Sequence, residues 1–315
     1  MPGPREGNSM IFAKRQIESI ASMNHAVETF YLESRTNIFI LIRDFFRFRK
    51  LIRSFSPDII NCYYGTVTSL FTVLSTSKPV VITFVGSDLN FVKSENIISE
   101  ILGKFFSQLS VLRAAGVICV SENLIKKIWW RKKIATVLPL GVNDKQFITI
   151  DKLRARNDLG FKQDEKIILF NNNALVKRFD IASKAVELLK KKIPGVRLHA
   201  LSGSISFDKI LALLNACDCL LLCSDSEGSP AMIKEAMACN LPIVSTDVGD
   251  VKETIKLTIP HAIAEQNPEA LANALEKVLL QNIRSNGRDV LLTCGFTTDS
   301  ISKKIIGIYY SILQA

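Results

Sequence analysis

The chain has 315 residues, 48% of them apolar and 22% charged. That balance excludes a disordered or solvating chain and leaves room for two domains of ordinary size. No apolar run reaches the ~18 residues of a membrane-spanning helix, and the opening MPGPREGNS lacks the hydrophobic stretch of a secretory signal, so the expectation is a cytoplasmic protein.

The formal charge of +10 is uneven: residues 1–150 carry 19 Lys and Arg against 11 Asp and Glu, residues 151–315 carry 21 against 19. A basic first half points to an anionic partner without choosing among a membrane, a nucleic acid and a phosphorylated substrate. The seven cysteines form no C-x-x-C pair and several fall in apolar runs, so they read as small buried hydrophobes. His25, His199 and His261 stand apart from one another and from cysteines at ligand spacing, and no metal is expected.

In chain order the pattern predicts a helix over 11–22, a short strand over 26–32 and a long amphipathic helix over 38–54. A strand over 58–62, a helix over 66–75, a strand over 79–84 and a helix over 95–114 follow. Strand 117–120, helix 122–130 and strand 136–138 complete the first half. Short β-branched runs alternating with helices are the mark of a parallel sheet covered on both faces. The segment Pro139-Leu-Gly-Val-Asn143 reads as a linker. The second half repeats the scheme, with strands over 167–170, 196–201, 219–223 and 243–246 and helices over 180–192, 207–216, 230–239, 268–280 and 301–313. The expected architecture is α/β, two doubly wound Rossmann-like domains facing a cleft. Residues 1–143 and 144–295 form the domains, and 296–315 are a terminal helix packing back toward the first. A doubly wound domain normally opens with a strand, and this chain opens on polar residues and a helix. The expectation is a first domain without its opening strand, through a truncated start.

The most informative stretch is Ser224-Asp-Ser-Glu-Gly-Ser-Pro-Ala-Met-Ile-Lys-Glu-Ala-Met-Ala-Cys239. Ser229 suits an N-cap and Pro230 the first helical position, and Asn240 suits the helix end. The helix is apolar nearly all round. That reading turns Lys234 outward and leaves Glu235 facing inward, in need of a partner: ligand hydroxyls or a structural Arg. Glu227 lies in the preceding loop, at the sheet edge where open α/β folds bind ligands. The amides of the first helical turn favour an anion, and Gly249 in Asp247-Val-Gly-Asp250 allows close backbone approach.

This stretch resembles the donor-site signature of retaining glycosyltransferases of family 4, whose fold is GT-B; their E-x(7)-E motif is Glu227 and Glu235 here. Asp58-Ile-Ile-Asn-Cys-Tyr-Tyr-Gly65, Gly86-Ser-Asp-Leu89, Val120-Ser-Glu122, Pro139-Leu-Gly-Val-Asn143 and Lys177-Arg-Phe-Asp180 fall in order where that family has recurrent segments. The resemblance implies a nucleoside diphosphate sugar as donor substrate, with no cofactor or metal, and a glycan or lipid-linked acceptor. It assigns Glu235 to the ribose hydroxyls, Glu227 to the transferred sugar, and the backbone of Gly228, Ser229, Pro230 and Ala231 to sugar and phosphates. Lys177 would neutralise the diphosphate, whose charge grows as the glycosidic bond breaks; the alternative is a solvated Lys177-Arg178 pair. Asp225-Ser-Glu227 is read as loop and donor contacts rather than a metal-binding D-x-D.

The chain departs from the pattern in two places. Asn172 stands where the family often has an Arg, with Arg178 as a substitute in the donor site. Val85 and Tyr63 stand where His is common, and neither replaces a His in acid–base work; Asp88 becomes the candidate for the acceptor hydroxyl. Transfer needs no protein base if the departing phosphate takes the acceptor proton.

Two basic aromatic segments remain. For 39–53 the favoured reading is a core-packing helix with a solvated basic side. For Lys126-Lys-Ile-Trp-Trp-Arg-Lys-Lys133 it is a peripheral contact of Trp129 and Trp130 with the inner face of a membrane. No nucleic-acid-binding motif is present. The leading function is glycosyl transfer in surface polysaccharide or glycolipid synthesis; the alternative is a non-catalytic sugar-nucleotide-binding protein or partner subunit.

Overall fold

A computed structural model describes residues 1, 10–91 and 97–314. The chain divides into two compact units, Met1–Leu140 with Thr298–Ala315, and Gly141–Thr297.

The first unit holds strands β1 (Ile60–Tyr63), β2 (Val80–Phe84), β3 (Gly116–Cys119) and β4 (Ala135–Val137). They lie in the order β1-β2-β3-β4, all parallel, with Ile60 opposite Val80, Val81 opposite Gly116 and Val117 opposite Ala135. All five residues of β2 are buried, as a strand covered on both faces requires. The strand period of two sends Cys62, Ile82, Phe84, Val117 and Cys119 into one core with Val73, Val111 and Leu124. Val81 and Ile118 point the other way, against Ile20, Ile301 and Ile305. The strands step in one direction, so right-handed crossovers put helices Thr66–Ser75, Ile97–Val111 and Glu122–Lys126 on one face. Helices Ile11–Ser22 and Thr298–Leu313 cover the other and share a polar seam. There Ser19 Oγ donates to Asp299 Oδ1 (2.8 Å) and accepts from Ser302 Oγ (2.8 Å).

Three expectations for this unit need correction. The stretch 26–32 joins neither sheet; Leu32 donates its N–H to the Met1 carbonyl, and no strand precedes β1 among the described residues. The helix beginning at Glu122 ends at Lys126. Helix Ile38–Phe55, capped by Asn37, which accepts from the amides of Phe39 and Ile40, buries only Asp44 and Phe48. Phe48 packs on Phe30 and Phe71, with ring centroids 4.9 and 5.9 Å away, and the basic residues are exposed as expected, but Ile38, Phe39, Ile42 and Phe46 are exposed too, so the helix packs inward along one narrow side only. The predicted start of the next long helix, Glu95, lies outside the described residues; the helix runs from Ile97.

The second unit holds β5 (Lys166–Asn171), β6 (Val196–Leu201), β7 (Cys219–Leu222), β8 (Ile243–Ser245) and β9 (His261–Ile263), all parallel in the order β6-β5-β7-β8-β9. Strand β9 is short and half-buried at the sheet edge and escaped the sequence reading. So did helix Lys152–Leu159, which is polar almost throughout. Its one large buried side chain, Arg156, donates to the carbonyls of Ala216 and Gln163 and to Asp218 Oδ2 (2.8 Å).

The order matters for function. After β5 the chain crosses to β6 on one side; it then returns to β7 on the other. The loops leaving β5 and β7 therefore diverge, opening the crevice where such sheets bind ligands. The first sheet steps in one direction and has no such point among its described strands.

Candidate active site

The loops at the carboxyl edge of the second sheet converge on the crevice between β5 and β7. Beyond β5, a single 3-10 turn, Leu175–Lys177, precedes helix Phe179–Lys190. It is pinned by Asp225, whose N–H donates to the Val176 carbonyl (2.9 Å). Lys177 Nζ donates to Glu227 Oε1 at 2.5 Å, and the same oxygen accepts from Ser224 Oγ at 2.7 Å. Both members of the ion pair are largely buried, at 19% and 12% side-chain exposure, so the crevice floor is a charge pair whose carboxylate also holds a side-chain hydroxyl.

Arg178 stands beside it with left-handed backbone (φ 59°). Its guanidinium donates to both oxygens of Asp180 (3.0 and 2.9 Å) and to Asp225 Oδ1 (2.9 Å). This holds the Asp180 carboxyl below its usual range and raises the guanidinium further. Gln266, beyond β9, donates to the Cys223 carbonyl and Asp225 Oδ1 (both 2.9 Å). Asp225 and Glu227 are thus each committed to a cation, and the described residues hold no group of three His, Cys, Asp or Glu able to take a metal. Asn172 spends its N–H on the Leu201 carbonyl at the start of the same loop.

Helix Ala231–Ala238 starts with Pro230 in the cap position and no side-chain cap, so Ser229 is not the N-cap its type suggested. Ser229 Oγ donates instead to Asp250 Oδ2 (2.7 Å) and accepts from Lys234 Nζ (2.6 Å). Lys234 is completely buried, and its ammonium also donates to Asp250 Oδ2 (2.6 Å). The predicted orientation of this helix is therefore corrected: Lys234 faces in, and Glu235 is half-buried on the same side as Ala231 and Met232. A helix apolar all round offers no stripe to orient it. Asp250, sixteen residues on at the next loop of the same sheet edge, decides which polar residue goes inside, because a buried carboxylate needs a cation. That Lys–Asp spacing is the signal that could have found it.

Gly249 is needed for a different close approach from the one foreseen. Its φ is +62°, and a Cβ there would lie 2.5 Å from the Gly228 carbonyl oxygen. The loop carrying Glu227 and Gly228 and the loop carrying Gly249 and Asp250 are thus pressed together and stapled by Lys234. Asn240, also with positive φ, closes the helix as expected.

At the carboxyl edge of the first sheet the arrangement differs. Asp88 is fully buried, and its carboxylate accepts the N–H groups of Gly65 (3.1 Å), Val85 (3.0 Å) and Gly86 (2.8 Å). Burial raises its pKa against the pull of these donors. The side chain clamps two loops and is closed to an acceptor hydroxyl, so the role assigned to it from sequence is corrected to a positioning one. Tyr63 is buried, its hydroxyl has no hydrogen-bond partner among the described residues, and burial lifts its pKa well above the usual range. Of the two tryptophans, Trp130 is anchored through Nε1 to the Gln108 carbonyl (2.9 Å), while Trp129 is 60% exposed.

Comparison with known proteins gives two family-model matches. Residues 9–146 match the family model for glycosyltransferase family 4, and residues 199–289 the model for glycosyl transferases group 1. A Bacillus subtilis protein named for teichuronic acid biosynthesis, the glycosyltransferase TuaC, is 27% identical over 251 residues; the match spans 71% of this chain and 62% of that protein. Sucrose-phosphate synthase from Thermosynechococcus elongatus superposes with a TM-score of 0.77 at 17% identity, covering 96% of this chain and 93% of that one. HepE of Anabaena, solved in complex with UDP-glucose, superposes with a TM-score of 0.73 at 15% identity, covering 99% and 98%. With two parallel-sheet α/β units, each matched by a glycosyltransferase model, the chain belongs to the family 4 glycosyltransferases of GT-B fold.

Proposed function

We propose that this protein transfers a sugar, with retention, from a nucleoside diphosphate sugar to a glycan or lipid-linked acceptor in surface polysaccharide or glycolipid synthesis. The observation that carries the reading is the Lys177–Glu227 pair at the switch point of the second sheet (2.5 Å). An ammonium held there by one carboxylate is the group a diphosphate would recruit. As the glycosidic bond breaks and the leaving group gains charge, the same cation stabilises it. Glu227, relieved of Lys177, keeps Ser224 and meets the sugar hydroxyls. The uncapped amides at the start of helix Ala231–Ala238 take phosphate or sugar oxygens, and Glu235, on the half-buried side of that helix, takes the ribose hydroxyls. Arg178 adds positive charge at the rim. With Asp88 closed and Tyr63 buried, the departing phosphate takes the acceptor proton.

UDP binding by HepE makes UDP the first nucleotide to try. Calorimetric unfolding at a hundred times the dissociation constant should show about 2.7 kcal/mol of stabilisation, lost in Lys177→Ala and Glu235→Ala. Sugar transfer to a glycan or polyprenyl-linked acceptor, with the donor's anomeric configuration kept in the product, completes the test. Nucleotide stabilisation without transfer to any acceptor would favour the non-catalytic alternative, and no stabilisation by UDP or GDP would overturn the donor site.

A further inference from the structure

We infer that the first unit docks on an anionic membrane surface through the outward face of helix Ile97–Val111 together with Trp129. At about 100° per residue, Ile97, Ile98, Ile101, Leu102 and Phe105 share one side of this helix, and all five are exposed, from 42% to 68%. Such a stripe is unusual on a water-facing surface. Trp129, 60% exposed, extends it: its ring centroid lies 6.5 Å from that of Phe105.

The basic loop is tied to this face by Gln108. Its side chain donates to the Lys127 carbonyl (3.0 Å) and accepts from the Trp129 N–H (3.0 Å), while its carbonyl holds Trp130. Lys126, Lys127, Lys132 and Lys133, all within four residues of Trp129 in the chain, are exposed. Among the described residues, the acids nearby are Glu100, paired to Lys104 (2.5 Å), and the exposed Glu122. An apolar stripe, one interfacial tryptophan and a cationic flank match the three zones of a bilayer surface of acyl chains, headgroup boundary and lipid phosphates. Lysine stems can lie along apolar surface while their ammonium groups reach the phosphates. A symmetric contact with a second copy would bring the lysine clusters toward each other and is opposed by their charge. The same unit repeats the signature on helix Ile38–Phe55, where Ile38, Phe39, Ile42 and Phe46 are exposed with Arg49, Lys50 and Arg53. No helix among the described residues is long and apolar enough to cross a membrane, so the contact is peripheral.

The inference extends the lipid-linked reading of the acceptor. Its test involves no transfer, so either can fail alone. The full chain is sedimented with vesicles of equal parts phosphatidylglycerol and phosphatidylcholine, and with phosphatidylcholine alone. Binding to the anionic vesicles should exceed binding to the neutral ones and weaken as salt shortens the screening length from about 10 to about 3 Å. The Ile98→Ser, Ile101→Ser, Trp129→Ala variant should lose at least about tenfold in vesicle binding with unchanged calorimetric melting and UDP stabilisation. Lys132→Gln with Lys133→Gln should reduce the preference for anionic vesicles. Equal binding to both vesicles, or undiminished binding by the apolar variant, would overturn the inference. A native dimer in sedimentation velocity that the apolar variant makes monomeric would overturn it too, by giving the face to a second copy.

Discussion

Two carboxylates, Asp88 at the carboxyl edge of the first sheet and Glu227 at that of the second, are held in opposite ways. Asp88 is gripped by three backbone N–H groups, Glu227 by the side chains of Lys177 and Ser224. Backbone amides belong to the fold and cannot leave without unfolding a loop. A lysine and a serine can rotate toward an arriving ligand at little cost. The first arrangement builds a wall; the second, in the function proposed above, is the site that a diphosphate opens. Topology places them: a switch point lies beside Glu227 and none beside Asp88 among the described strands.

Substitutions can break this contrast. The largest loss of stability should come from Lys234→Met, which leaves Asp250 buried without its cation, at about 3–5 kcal/mol in denaturant unfolding. Adding Asp250→Leu should restore most of it, and the double-mutant cycle measures the pair. Asp88→Ala should cost about 3 kcal/mol because three amides lose their acceptor, whereas Glu227→Gln should leave stability nearly unchanged. If Glu227→Gln destabilises as much as Asp88→Ala, the wall-and-site distinction fails. Lys177→Ala should lower the transfer rate about a hundredfold, roughly 2.7 kcal/mol of barrier, without lowering the melting temperature. Gly249→Ala, which combines positive φ with a close contact to the Gly228 carbonyl, should cost about 1–3 kcal/mol and weaken nucleotide binding. The smallest change concerns thiols. Burial pushes Cys217, Cys223 and Cys239 up to about 12, so in the native protein a neutral alkylating reagent should leave these three unmodified, as read by mass spectrometry.

Much of this was legible from the chain. Strand Val196–Leu201 and helix Phe207–Ala216 fall where the sequence puts them, because an apolar period between turn residues leaves little choice. Lys177 and Glu227 were both singled out in the sequence, but their contact was not legible there, since strand order decides which loops are neighbours. Three readings failed for physical reasons. The helix at Ala231 is apolar on every side, so its rotation hung on a partner in another loop. Asp88 reads as polar and available until the amides of Gly65 and Gly86 fold around it. The segment 39–53 reads as core-packing from its period; only packing shows Phe39, Ile42 and Phe46 exposed among the described residues.

The unit boundary has a practical consequence. Both tryptophans, Trp129 and Trp130, and all five tyrosines, Tyr31, Tyr63, Tyr64, Tyr309 and Tyr310, lie outside Gly141–Thr297. The second unit is therefore optically silent: intrinsic emission and the protein's absorbance near 280 nm arise from the first unit alone. A melting curve followed by fluorescence would track one half of the molecule and say nothing direct about the half with the crevice between β5 and β7. A tryptophan placed at Phe179, beside Lys177 and Arg178, would give that crevice its own signal, against which emission from Trp129 would report contact with lipid.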